Sequence, residues 1–122
     1  MALVLNKLFM SPLPLANFNE KTKEYKNGID INQAVNNVGK DVTICARVYN
    51  VRFTPTITQI NLGAKYPNNP LTVVIFAKSY VKFNGPLDEL FADKNICVKG
   101  TIELYRGKPQ IIIDNPENLI KL

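Results

Sequence analysis

Residues 98–113, VKGTIELYRGKPQIII, decide how this chain is read. They spell a strand, a tight cationic turn and a second strand. Ile96, Val98, Ile102 and Leu104 recur at every second or fourth position, the period of a strand with one buried face. Gly100 falls inside that inward series, where a strand bends or another backbone comes close. Tyr105, Arg106, Gly107, Lys108 and Pro109 then reverse the chain: Gly107 supplies a permissive backbone and Pro109 suits the first position of a strand. A bent strand leading into a cationic, aromatic-tipped hairpin fits a small barrel with a groove for a polyanion.

The preceding residues supply the remaining parts. Residues 40–53, KDVTICARVYNVRF, form a long β-branched strand, with Val42, Ile44, Ala46 and Val48 on one face and Thr43, Cys45, Arg47 and Tyr49 on the other. Residues 54–58 read as a loop. A second strand covers 59–63, Ile60 and Leu62 inward, Gln59 and Asn61 outward. After a Pro- and Asn-rich turn at 64–70, LTVVIFAK at 71–78 is nearly all apolar, as in a strand covered on both sides. Gly85-Pro86 breaks the chain before a short helix with Leu87, Leu90 and Phe91 buried. Upstream, Asp30 caps a short helix through Val38 whose apolar face carries Ile31, Ala34, Val35 and Val38. Residues 17–28 are polar and read as a linker. Residues 1–16 are apolar but broken by Lys7, Pro12 and Pro14, too short to span a membrane. They read as an arm packing on the domain, with a degraded export signal as the other reading, so the compartment stays open between cytoplasm and envelope. The division expected is an arm and linker over 1–28 and one domain over 29–122.

Three strands, a helix and two strands give an all-β class with short helices. The expected architecture is a five-stranded Greek-key barrel with a helix between strands 3 and 4, the OB-fold, which binds oligonucleotides or oligosaccharides across strands 2 and 3.

The net charge is +5 over 122 residues, and its distribution says more than its total. No Asp or Glu occurs from Val42 to Leu87, whereas Arg47, Arg52, Lys65, Lys78 and Lys82 do. A positive field on one side favours a polyanionic partner. Histidine is absent, which removes His-based triads and Cys/His zinc sites. Asp88, Glu89 and Asp93 sit in a short helix whose dipole explains the first two. No enzyme, metal or cofactor is expected. Cys45 and Cys97 lie on strands that would be neighbours; a bridge is open to them, and free thiols are the expected state.

The expected nucleic-acid site comprises Arg47, Tyr49, Arg52, Asn61, Lys65, Phe76, Arg106 and Lys108. The cations would neutralise phosphates, Tyr49 and Phe76 would stack bases, and Asn61 would face a base edge or satisfy its own turn. Phe76 serves equally as part of a second small core. Tyr105 reads as a cap on the barrel end; Tyr66 extends the positive strip beside Lys65, with turn packing before Pro67 as its other reading. The expected partner is single-stranded DNA or RNA with little sequence preference. The alternative is an interaction module without nucleic-acid binding, in which the apolar arm (Leu3, Val4, Leu5, Leu8, Phe9) docks a protein or a second copy.

QINLGAKYPNNPLTVVIF and ICVKGTIELYRGKPQIII together resemble the OB-fold domains found beside sugar-non-specific extracellular nucleases of the YhcR type, and small stand-alone bacterial proteins built on the same domain, some exported. The resemblance covers roughly residues 31–120. It implies an OB-fold and nucleic-acid binding; it does not include the nuclease, so no catalytic role carries over. VVIFAK is also similar to the third strand of bacterial single-stranded-DNA-binding proteins, where an aromatic at the position of Phe76 faces the nucleic acid. Tryptophans that such proteins stack on bases are absent from this chain.

Overall fold

The computed structural model describes residues 17–122, and the arm expected over residues 1–16 lies outside them. Seven strands form one mixed sheet: β1 (Asp41–Phe53), β2 (Ile57–Leu62), β3 (Leu71–Phe76), β4 (Asn95–Thr101), β5 (Glu103–Tyr105), β6 (Lys108–Ile112) and β7 (Leu119–Lys121). Their order is β5-β6-β3-β2-β1-β4-β7, with β3 and β6 parallel and every other pair antiparallel.

The closed five-stranded barrel expected from sequence is therefore corrected to an open seven-stranded sheet. Two local events explain the difference. The expected fourth strand is cut at Ile102, whose N–H donates to Lys40 O (3.1 Å) and whose carbonyl accepts from Gly39 N–H (2.7 Å). Those bonds tie Ile102 to the residues before β1 and divide β4 from β5. At the other edge, Leu119–Lys121 adds a strand along β4, with Ile120 opposite Cys97. Since only Ile102 separates β4 from β5, the chain passes from one side of the sheet to its opposite edge and curls it.

The curl brings β4 and β6 together across the core. A Cβ at Gly100 would lie 2.6 Å from Ile111 Cγ2, so only glycine admits this approach. Inward residues of β1 to β4 and β6, among them Ile44, Val48, Ile60, Leu71, Val73, Ile96, Val98 and Ile111, are buried in one cluster. Helix α2 (Leu87–Phe91) contributes Leu87 and Phe91 to it, with Leu90 packed against them, as the sequence pattern implies. The mostly β class and the short helix between β3 and β4 agree with expectation.

Elsewhere the local structure departs from the sequence reading. Asn17–Lys23, expected in a linker, is an α-helix (α1) docked on β1, where Cys45 N–H donates to Thr22 Oγ1 at 3.2 Å. The segment Ile31–Asn37 is a 3-10 helix capped by Asp30, which accepts from Asn32 N–H at 2.8 Å. At three residues per turn Ile31, Ala34 and Asn37 stack in one row, so Val35 and Val38 are exposed instead of buried. Cys45 and Cys97, directly paired on β1 and β4, are joined as a disulfide rather than free. Among the described residues no helix is long and apolar enough to cross a membrane.

After β3 the chain enters a 3-10 helix (Ala77–Lys82) tied to the end of β6. Buried Ser79 donates its hydroxyl to the Asp114 carboxylate, and Lys82 Nζ lies 3.6 Å from Asp114 Oδ2 and bonds its carbonyl at 3.0 Å. The Ser79 hydrogen bond, then the Lys82 charge, hold the Asp114 carboxyl below its ordinary value of 3.8.

Two outcomes are expected. Gly100→Val forces Cβ into Ile111 and destabilises the fold by roughly 1–3 kcal/mol, read as a lowered thermal midpoint. Because the folded carboxyl is the stronger acid, Asp114 stabilises the fold above its ordinary value, and this contribution fades as pH falls through the folded one. The midpoints of wild type and Asp114→Asn should differ at neutral pH and converge in acid below 3.8.

Candidate nucleic-acid interface

Strict alternation along β1 would turn Asn50 and Arg52 inward with Val48. The ladder shows otherwise. Val48 pairs with Leu62 and Asn50 with Asn61, so β1 carries one more residue than β2 and Tyr49 is a β-bulge. The Gly63 N–H donates to Arg47 O at 3.0 Å across it. Past the bulge the faces exchange: Val51 packs on the core, and Asn50 and Arg52 join the outward face of β2.

Two cross-strand rows result. Asn50, Asn61, Thr72 and Gln110 are successive partners across β1, β2, β3 and β6, and Arg52, Gln59, Val74 and Ile112 form the next row. The first row is hydrogen-bonded. Asn61 Nδ2 donates to Asn50 Oδ1 (2.9 Å), Thr72 Oγ1 donates to Asn61 Oδ1 (3.5 Å), and Thr72 accepts from Asn69 Nδ2 (2.8 Å). Asn61 is only 5% exposed, yet its carboxamide is held at both ends.

The first row, together with Gln59 of the second, floors a groove of about 540 Å³, with Arg52, Tyr66, Tyr105, Arg106, Lys108 and Pro109 around it. The β5–β6 hairpin forms one wall. Tyr105 faces Lys108 across a two-residue turn in which Arg106 has φ 52° and Gly107 φ 80°. Two successive positive φ angles are the type I′ geometry that matches strand twist. Lys108 ties this wall to the β2–β3 connection: its Nζ donates to Pro67 O at 3.0 Å and lies 5.3 Å from the Tyr66 ring centroid. Arg106 Cζ lies 5.3 Å from the Tyr105 centroid. Both tyrosines are more than half exposed. No residue lining the groove is acidic, and among the described residues Arg52, Arg106 and Lys108 form no salt bridge.

Of the residues expected in the site, Arg52, Asn61, Arg106 and Lys108 line this groove. Arg47, Tyr49, Lys65 and Phe76 do not. Arg47 and Tyr49 form a cation–π pair at 5.9 Å, but Arg47 pairs with Asn95 of β4, on the side of the sheet away from β2 and β3. Lys65 is exposed in the β2–β3 connection. Phe76 stands opposite Ile57 at the far end of β3, four residues from Thr72. Asn50, Gln59, Thr72 and Gln110 were not expected in the site, Tyr105 was assigned to packing, and Tyr66 was left between the positive strip and turn packing. Gln59 and Thr72 could have been found from strand alternation once Asn61 was placed outward; Asn50 is reached only through the bulge.

No family model matches this chain, and no curated protein does. Among solved structures the chain is similar to a crystal structure described as that of an aspartyl-tRNA synthetase from Leishmania major Friedlin. The TM-score is 0.52 at 13% identity, over 76% of this chain and 20% of that one. This chain thus spans about a fifth of that protein's length. The likeness is one of fold.

Arg106 holds a backbone conformation that disfavours a side-chain-bearing residue by about 1 kcal/mol, least so for glycine and asparagine. Arg106→Asn restores the Asn-Gly pair preferred in this turn and is expected to raise the thermal midpoint, measured by circular dichroism.

Proposed function

We propose that this chain is a non-catalytic module that binds single-stranded nucleic acid in the groove between the β1–β2–β3 face and the β5–β6 hairpin. In this reading the sheet is an OB-type fold, with the Ile102 break and the added β7 as its departures from a closed barrel. The observation that carries the proposal is the groove itself: three cations and two exposed tyrosines around an uncharged polar floor, with no acid in the lining. Strand ends and loops on one side of a curled sheet are where such folds hold a strand. Fold likeness to a protein described as a tRNA synthetase agrees with the reading without establishing it.

Arg52, Arg106 and Lys108 neutralise phosphates, and the displaced counterions supply most of the affinity. Lys108 keeps two N–H donors for this after bonding Pro67 O. Tyr66 and Tyr105 offer faces for base stacking, worth roughly 1–3 kcal/mol per base where it occurs. Arg106 retains a strained backbone at the hairpin tip, which accords with selection for its charge rather than for turn stability. The Cys45–Cys97 disulfide supports an oxidising compartment.

Fluorescence anisotropy with a labelled single strand of about 15 nucleotides tests the proposal. Three phosphate contacts predict a slope of log K against log salt of about −2. Arg52→Glu with Arg106→Glu should lower affinity at least tenfold and reduce the slope to about −0.7. Absence of binding at low salt contradicts the proposal and favours an interaction module without nucleic acid.

A further inference from the structure

Two asparagine–glycine pairs occur in the chain, Asn27-Gly28 and Asn84-Gly85. In such a pair the backbone nitrogen of the glycine can attack the carboxamide carbon of the asparagine side chain, because no Cβ on the following residue hinders the approach. The attack closes a cyclic imide, and it needs the peptide group between the two residues to rotate. By sequence the two pairs are equivalent. In the fold they are not.

The peptide group joining Asn27 to Gly28 is held at both ends. Its oxygen accepts from Thr43 N–H, and its N–H donates to Tyr25 O, each at 3.1 Å. Gly28 bridges to Thr43 beside β1, and Asn27 is fixed there at φ 60°. Ring closure at this pair must first break both hydrogen bonds and lift the turn from β1.

The second pair lies between the 3-10 helix Ala77–Lys82 and α2. Asn84, Gly85 and Pro86 are all exposed. Among the described residues neither end of the Asn84–Gly85 peptide group enters a hydrogen bond, and the Asn84 carboxamide makes none. The surroundings are open: a Cβ added at Gly85 would meet nothing beyond its chain neighbours nearer than the Leu90 side chain, at 3.9 Å.

We propose that Asn84-Gly85 is a self-modification site, which converts in the folded protein to aspartate and isoaspartate while Asn27-Gly28 stays intact. Gly85 N bonds to Asn84 Cγ and gives up its proton; the bond from Cγ to the side-chain nitrogen breaks, and that nitrogen leaves as ammonia. Water, the only other reactant, then opens the imide. Opening at one carbonyl leaves aspartate; opening at the other leaves isoaspartate, with the backbone running through the former side chain. Either product replaces a neutral carboxamide by a carboxylate, which takes one charge from the net +5 and leaves +4. The new charge falls in the stretch from Val42 to Leu87 that otherwise holds no acid. Isoaspartate also lengthens the backbone leading into α2, whose Leu87 and Phe91 are anchored in the core. Asn84 does not line the groove, so this site is independent of the single-strand reading.

The test is mass spectrometry of the intact chain incubated at mildly alkaline pH, folded or in urea, then cleaved after lysine and arginine, with an unincubated sample as the zero. Asn84 is the sole carboxamide residue of peptide 83–94, and Asn27 opens peptide 27–40. The mass gain of an amide-to-acid change reports conversion, and fragment ions assign it within peptide 27–40. In the folded chain Asn84 is expected to convert at least about tenfold faster than Asn27, whose two hydrogen bonds must open first. In urea the two rates should become similar, and both acidic isomers of peptide 83–94 should separate by chromatography. Equal rates at the two sites in the folded chain overturn the proposal, as does an Asn84 that stays intact there. Conversion to aspartate alone overturns the imide route.

Discussion

Between Val48 and Asn50, β1 passes two residues where β2 passes one, and the Gly63 N–H reaches Arg47 O across the gap. That single extra residue at Tyr49 exchanges the faces of the second half of β1. Without it Val51 would leave the core and Asn50 and Arg52 would enter it. With it, the polar row across β1, β2, β3 and β6 is continuous and Arg52 joins the rim of the groove. Because side chains alternate with period two, a bulge is the smallest change that makes one strand serve two different environments. The first half of β1 lies under α1 and carries the disulfide; the second half carries the candidate site.

The hairpin that faces this row is placed by a second constraint. Ile102 interrupts the strand leading to it, and Gly100 lets β6 pack close through Ile111. Together they swing β5 and β6 around to stand beside β3, so that residues distant in sequence, Arg52 and Arg106, border one groove. The contact of Lys108 with the Tyr66–Pro67 connection fixes the width between the two walls.

The cores of the strands were legible in the sequence because burial imposes an alternation that composition cannot hide. Val42, Ile44, Ala46, Val48, Ile60 and Leu62 lie where that pattern puts them, as do Leu71, Val73 and Ile75. β3 is nevertheless not covered on both sides, since Thr72 lines the groove and Phe76 is exposed. Leu87, Leu90 and Phe91 form the buried face of α2. What escaped was irregular. The bulge shows in the apolar series only as one odd step, from Val48 to Val51, which a reading that ended the inward series at Val48 does not use, so Asn50 was not noticed. A 3-10 helix satisfies much of an α pattern, and only the exposed Val35 and Val38 reveal it. Pairing of Cys45 with Cys97 depends on a register that two separate strands do not specify by themselves. Closure of the sheet turned on where backbone groups of one residue, Ile102, find partners. The site was half legible for the same reason: hairpin and loop cations follow from local sequence, whereas the floor is assembled from four strands.

The most direct measurement of the central claim is a titration of the ¹⁵N-labelled protein with a short single-stranded oligonucleotide, followed by amide NMR shifts. The predicted changes concentrate at Asn50, Arg52, Gln59, Asn61, Thr72 and the hairpin from Tyr105 to Gln110, with α1 and the part of β1 beneath it little affected. Shifts centred on Arg47, Tyr49 and Asn95 instead, or none at low salt, would contradict it.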